Sequence, residues 1–365
     1  MQVHFLPWAG ITQPITIGPV TITPWPTLRT TLPPNATTFL DTYFTRYRTN
    51  NNQPITDINI ASITPNPLAN ITPQQRATIQ RAIDALTITS IIPNLRATIT
   101  THNTFAIPNS ERFQLTTQLL GNLSPHIAIR TRGMTHVWNM NQIHFCAPWE
   151  AGSTNYQTEN EVLTALGKLL AGTRHVRLRE RIFNTMEWCR LSNTGNPGTS
   201  DLSRLVMKAT AFEVLLEPND PFQKRDLMTQ RLHTLTDNPK LKLKSIRISK
   251  KKKRTVNAVA AWLNQFYQLR NAIVHGDTIT PAQLNLNANG TTVSHLAIAD
   301  LVLYEAITWE LITRHLAGGQ TRRAAHSFAR ALGNSKASDA LITKMLSSHF
   351  QLTGYHNALG WTKKK

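Results

Sequence analysis

Through the first 150 residues the hydrophobic positions come in short runs, with Thr, Asn and Pro between them. Val20-Thr21-Ile22-Thr23 and Ala97-Thr98-Ile99-Thr100 are rich in the β-branched residues that favour an extended chain, and strands are expected there. One stretch follows a different period. Thr72 stands as an N-cap, Pro73 occupies the first helical position, and Ile79, Ile83 and Leu86 fall on one face of the helix that follows. The pattern predicts a mixed α/β domain over residues 1–150. From Glu159 onward apolar residues recur every three or four positions. Helices are expected over about 159–171, 174–191, 202–217, 222–235, 255–275 and 293–316, separated by loops such as Ser192–Ser200 and Gly276–Thr292. The boundary falls between Pro148 and Thr158, where Gly152, Ser153 and Asn155 interrupt both periods. Residues 317–365 read as a basic helical extension, with two short helices between Thr321 and Phe350 and then Lys363-Lys364-Lys365. The expected class is α+β: a C-terminal helical bundle over 159–316 behind a smaller N-terminal mixed domain.

Charge sharpens this division. The 365 residues include 39 Lys and Arg against 20 Asp and Glu, a formal charge of +19. Residues 1–150 hold nine Arg, no Lys and five acids, so most of the excess sits in the helical part. A basic bundle expects a polyanionic partner, RNA first and an anionic membrane surface second. The membrane reading is poor, because no strongly amphipathic basic helix carries Trp or Phe beside the lysines and no apolar run reaches the ~18 residues that a bilayer requires. Cys146 and Cys189 form no C-x-x-C pair, and the start MQVHFLPWAG lacks a signal-peptide pattern, so a cytoplasmic protein is expected. Thirteen scattered histidines and the lack of phosphate-loop, dinucleotide, zinc-protease and nucleophile-elbow motifs leave no metal or cofactor expected.

Candidate chemistry concentrates between Trp262 and Asp277. Val256, Val259, Leu263, Phe266 and Ile273 form an apolar stripe with Arg270 standing in it, and Asn264, Gln268, Asn271 and His275 make a polar row facing a cleft or water. A guanidinium in an apolar stripe needs an anion, either a carboxylate or an incoming phosphate. Gly276 is placed as the C′ residue ending the helix, which leaves His275 at its C-terminus, where an imidazole suits a general acid. Five residues at about 100° each set Arg270 and His275 ~140° apart around the axis and ~7.5 Å apart along it, so one straight helix does not aim both at one atom. A second copy of the helix across a two-fold axis would bring the pairs together, with the apolar stripe as the contact.

Arg270-Asn271-Ala272-Ile273-Val274-His275, followed by Gly276, resembles the Arg-x4–6-His motif of the HEPN superfamily. Together with the upstream block Ala211-Phe212-Glu213-Val214-Leu215-Leu216-Glu217-Pro218 it is most similar to the Apea-like HEPN group. The resemblance covers about residues 159–316. It implies a HEPN-like bundle and a metal-independent endoribonuclease in which Arg270 and His275 promote attack of the RNA 2′-OH on the adjacent phosphodiester, leaving 2′,3′-cyclic phosphate and 5′-OH ends. Asn271 would hold the phosphate or His275. The physical logic fits, since a fixed guanidinium stabilises charge developing on phosphoryl oxygens while an imidazole moves the proton. The resemblance also implies a homodimer through the HEPN-like domain, service as a toxin or antiviral defence effector, and an antitoxin or other regulatory protein as a further partner; residues 1–150 would sense a trigger or select substrate. Two other stretches, Arg96–His102 and Arg130–His136, also satisfy the loose motif, with an Arg-x5-His spacing, and both are expected in β-rich surroundings. The helix, Asn271 and Gly276 set Arg270 apart from them.

Glu213 lies on the apolar face made by Leu202, Leu205, Val206, Ala209, Phe212 and Leu216, so it either orients Arg270 or His275 or sits at the edge with its carboxylate in solvent. Lys250-Lys251-Lys252-Lys253-Arg254 is the densest charge run and directly precedes the helix of Arg270. It is expected to guide RNA phosphates, a solvated loop being the alternative. Arg174, Arg177, Arg179 and Arg181 have two readings as well, RNA contact or surface pairing with Glu180 and Glu187. The competing reading of the whole chain is a non-catalytic HEPN-like scaffold that binds RNA or dimerises.

Overall fold

A computed structural model of the chain describes residues 2–49, 51–102, 110–119, 126–131, 134–139, 143–148, 160–195, 198–220, 222–236, 243–248, 253–288 and 291–317. The chain divides into two units, Met1–Leu86 with Asn109–Tyr156, and Thr87–Pro108 with Gln157–Lys365. In the first, the order is β1 (Gln2–Leu6), β2 (Ile15–Ile17), β3 (Val20–Pro24), α1 (Trp25–Leu28), α2 (Pro34–Phe44), β4 (Tyr47–Arg48), β5 (Asn59–Ser62), the start of α3 (Pro73–His102), β6 (Thr116–Leu119), β7 (His126–Thr131), β8 (Met134–Asn139) and β9 (Phe145–Cys146). Five of the strands make an antiparallel sheet in the order β2-β3-β5-β1-β6. Its core is aromatic. Phe5 of β1 meets Tyr43 and Tyr47 edge-on, with ring centroids 5.9 and 5.2 Å away, and Leu40 and Phe44 of α2 complete the cluster.

The expected strand at Val20–Thr23 is β3. The one expected at Ala97–Thr100 is instead helical, inside α3. A capping box starts that helix: the Gln75 N–H donates to Thr72 Oγ1 at 3.2 Å and the Thr72 N–H to Gln75 Oε1 at 2.8 Å. Once a helix is nucleated, each β-branched residue costs only a few tenths of a kcal/mol, less than propagation gains. Ile79, Ile83 and Leu86 are buried, as their spacing predicts. From Thr87 the helix groups with the second unit.

That unit contains α4 (Asn160–Ala171), α5 (Val176–Ser192), α6 (Asp201–Leu216), α7 (Lys224–Leu235), β10 (Leu243–Arg247), β11 (Lys253–Asn257), α8 (Ala258–Val274), β12 (Asn285–Ala288), β13 (Thr291–Ser294) and α9 (His295–Thr313). The class is therefore mixed α+β. α6 is the hub. It packs against α5, α7, α8 and α9, and Phe212 sits edge-on to Trp262 and Phe266 of α8 at centroid distances of 5.9 and 6.0 Å. α9 is buried along nearly its whole length, consistent with a helix apolar on every side. Two stretches expected to be loops carry antiparallel hairpins, β10 with β11 and β12 with β13. Because Lys253–Asn257 is held in a strand, α8 begins at Ala258, with Asn257 Oδ1 accepting from the Ala260 N–H at 2.9 Å. The Asn257 amide also donates to Thr236 Oγ1 at 3.0 Å, which ties the start of α8 to the end of α7. Among the described residues no helix is long and apolar enough to cross a membrane. The expected helical extension beyond Ala317 and the interruption at Gly152, Ser153 and Asn155 lie outside the described residues.

Two titratable groups of α9, the buried His295 and the partly exposed Glu305, have opposite effects on stability as pH changes. His295 accepts a hydrogen bond from Trp262 Nε1 at 3.1 Å, and burial lowers its pKa from 6.5 to about 4. Burial raises that of Glu305 from 4.5 to about 7, against a 2.7 Å hydrogen bond from Trp309 Nε1. Between pH 4.5 and 6.5 the unfolded chain protonates its histidine while the folded one does not, so His295 removes stability as pH falls. Glu305 stays protonated only when folded and removes stability as pH rises, each group contributing on the order of 3 kcal/mol. The two slopes offset each other in the parent. In urea unfolding followed by Trp fluorescence, Glu305→Gln should therefore reveal a loss of stability on acidification, and His295→Gln a gain. Parallel pH profiles for all three proteins would remove both groups from the linkage.

Candidate functional site

The last turns of α6 and α8 meet at the Glu213 carboxylate. Tyr267 Oη donates to Oε1 at 2.7 Å, Arg270 Nη2 lies 3.4 Å from the same oxygen, and Lys224 Nζ from the start of α7 is 3.0 Å from Oε2. Of the two readings of Glu213, the carboxylate faces Arg270 rather than solvent; its side chain is 16% exposed and that of Arg270 23%. Arg270 Nη1 donates to Asn271 Oδ1 at 3.2 Å, and its guanidinium carbon is 5.3 Å from the Tyr267 ring centroid. Burial, and then the hydrogen bond to Glu213, push the Tyr267 hydroxyl well above its ordinary pKa, so it remains a neutral donor. Two cations share one carboxylate here. The cluster keeps one positive charge in excess, and the enclosed Arg270 Nε–H has no hydrogen-bond partner among the described residues. The excess charge suits an anionic oxygen arriving from outside.

His275 is not drawn into this cluster. It stands exposed at the C-cap of α8, and its ring has no hydrogen-bond partner among the described residues. Gly276 occupies the expected C′ position with φ +82°, where a side chain would be strained. Its N–H donates to the Ile273 carbonyl at 3.1 Å and that of Asp277 to Ala272 at 2.9 Å, the paired bonds of a Schellman ending.

The apolar stripe is used inside the protomer. Val256, Val259, Leu263 and Phe266 are buried, Phe266 against Phe212 of α6, so they are not free to meet a second copy of α8. The polar row is also divided: Gln268 and His275 are exposed and Asn271 is half-buried, but Asn264 is buried. In the basic run, Lys250, Lys251 and Lys252 lie outside the described residues. Lys253 is exposed and pairs directly across β10 from Arg247, while Arg254 turns toward α7 and donates to Asp226 Oδ2 at 2.9 Å. On α5, Arg179 lies 3.4 Å from Glu180, whereas Arg177 and Arg181 reach Glu217; Glu187 is near Arg190 instead. Arg174 is exposed.

Sequence reasoning missed Tyr267, Lys224 and Glu217. Only Tyr267 left a local trace, three residues before Arg270 on the same helix face. It also missed a deeper pair, Lys208 of α6 with Asp300 of α9, both fully buried. Lys208 Nζ donates to Asn193 Oδ1 at 2.7 Å, and the Asn193 amide donates to Asp300 at 3.0 Å. Sealed from solvent, this group joins helices and meets no ligand. The two Arg-x5-His matches to the loose motif fall at the end of α3 (Arg96–His102) and on the paired strands β7 and β8 (Arg130–His136), so the first does have a helical setting, contrary to expectation. Among the described residues no three His, Cys, Asp or Glu side chains gather to hold a metal. No protein-family model, curated protein or solved structure matches the chain.

Proposed function

We propose that this chain is a metal-independent endoribonuclease of the HEPN type, cleaving RNA to 2′,3′-cyclic phosphate and 5′-OH ends. The observation that carries the reading is Arg270, an arginine fixed by Glu213 and Asn271 in a cluster with one positive charge to spare. Arg270 would hold a phosphoryl oxygen while the exposed His275 moves the proton. Glu213 and Tyr267 act as positioning residues, and Lys253 would guide the RNA backbone. Since Arg270 and His275 point ~140° apart on one helix, the active species is a two-fold dimer using the outer side of α8, where Gln265, Gln268 and Val274 are exposed. Service as a cytoplasmic toxin or antiviral effector under an antitoxin belongs to the same proposal.

The separation of His275 from the Glu213 cluster favours one competitor, a HEPN-like scaffold that binds RNA without cutting it. End-labelled RNA incubated with the full chain in excess EDTA distinguishes them. Fragments ending in cyclic phosphate are the expected result; retention on a gel without fragments would leave the scaffold.

A further inference from the structure

A cleft of about 1020 Å³ opens among α5, α6, α7 and α9, away from the cluster around Glu213. Its charged lining is Arg177, Arg181, Arg231 and Arg314 against Glu217 and Glu310. The two acids are already occupied. Arg181, only 13% exposed, is held between Glu217 at 3.1 Å and Glu310 at 2.8 Å, and Arg177 reaches Glu217 at 3.2 Å. Arg231 donates through Nη1 to the carbonyls of Leu216 and Glu217 at the end of α6, and has no acidic partner among the described residues. Arg314 is exposed just past α9 and has none either. Glu217 itself sits at φ +40°, a left-handed conformation that costs a residue with a side chain about 1 kcal/mol, and the arginines hold it there. The site is thus built in advance, with guanidinium groups in excess by two over carboxylates.

We infer that this cleft binds a small ligand carrying at least two phosphates, a nucleoside polyphosphate by class. Arg231 and Arg314 present forked donors that match phosphate oxygens, and the formal excess of two positive charges matches a pyrophosphate group. The remaining wall is mixed, with Val176 and leucines of α5, α6 and α7 beside His175, Asn219, Gln230 and Thr234, and offers both apolar and hydrogen-bonding surface to a base. The volume accommodates a whole nucleotide. A continuous RNA strand fits less well, because the arginines of the cleft are gathered at one place rather than strung along a groove. This site goes beyond the ribonuclease reading and does not depend on it.

Calorimetric titration of the full chain with ATP tests the inference, with inorganic pyrophosphate and a single-stranded RNA decamer as comparison probes. ATP should bind more tightly than pyrophosphate, and Arg314→Gln, which removes no side-chain hydrogen bond or ion pair among the described residues, should weaken ATP by about tenfold. Arg231→Gln should do the same, with circular dichroism checking that α6 survives the loss of its cap. Arg29→Gln, in the first unit and outside the cleft lining, should leave ATP affinity unchanged. The inference is overturned if neither ATP nor pyrophosphate gives heat at about 1 mM, if Arg314→Gln binds ATP as the parent does, or if the RNA decamer displaces ATP at lower concentration than ATP itself occupies the site.

Discussion

Asp300→Ala should lower the unfolding free energy by about 3–5 kcal/mol, the largest loss expected from one substitution in the helical unit. Lys208 is fully buried, and it donates to Asp300 and to Asn193. Removing the carboxylate leaves an ammonium inside the core with one neutral acceptor, far short of what its charge needs. Lys208→Met should cost a comparable amount, because among the described residues Asp300 then keeps only the Asn193 amide and the Cys189 thiol, 3.0 and 3.5 Å away. The double variant Lys208→Met with Asp300→Leu removes both charges and fills a similar volume, so it should regain most of the loss. Urea unfolding of the four proteins forms a double-mutant cycle, and the expected coupling is on the order of 2–3 kcal/mol. Single variants that each cost under about 1 kcal/mol would mean that the pair is solvated in solution.

RNA cleavage should fall by about 10²–10⁴-fold in Arg270→Ala and in His275→Ala, for different reasons. His275 is exposed and makes no side-chain contact among the described residues, so its variant should melt as the parent does. Arg270→Ala removes the 3.4 Å pairing with Glu213 but leaves Tyr267 and Lys224 on that carboxylate, so a stability loss of only about 1 kcal/mol should accompany the loss of activity. Arg270→Lys should not restore the rate, because an ammonium cannot donate to Glu213, Asn271 and a phosphate with the same fork. Mixing the Arg270→Ala and His275→Ala proteins adds a test of the dimer: if the two residues act across a two-fold axis, exchange of subunits restores part of the activity. Parental rates in both single variants would end the nuclease reading.

What the sequence determined by itself is what short-range physics controls. Thr72 with Gln75, Ile79 with Ile83 and Leu86, and the ending at His275 and Gly276 all involve residues within one or two helical turns, so spacing alone carried them into the structure. The helical segments from α4 to α9 were legible for the same reason, as was the α+β class. Short range also misled. The β-branched run at Ala97–Thr100 has strand character by composition, yet it continues a helix already nucleated upstream. The Asn289-Gly290 pair is a hairpin signal, but the segments flanking it, Asn285–Ala288 and Thr291–Ser294, are mostly polar and hid the strands that pair across it.

Only the tertiary structure decided which partners the charged side chains found. Lys208 lies one position before Ala209 of the apolar face and reads as solvent-facing on an amphipathic helix; with α5, α7, α8 and α9 all packed on α6, no solvent face remains there, and the ammonium meets a carboxylate 92 residues away. The same crowding turned Glu213 toward Arg270 and used up the apolar stripe of α8 that had suggested a dimer contact. It also assembled the arginine cleft from four helices, none of which carries the site alone. A charge buried in a low-dielectric core must be compensated, but which distant residue compensates it depends on how helices cross, and helix crossing is a long-range property that no local spacing encodes.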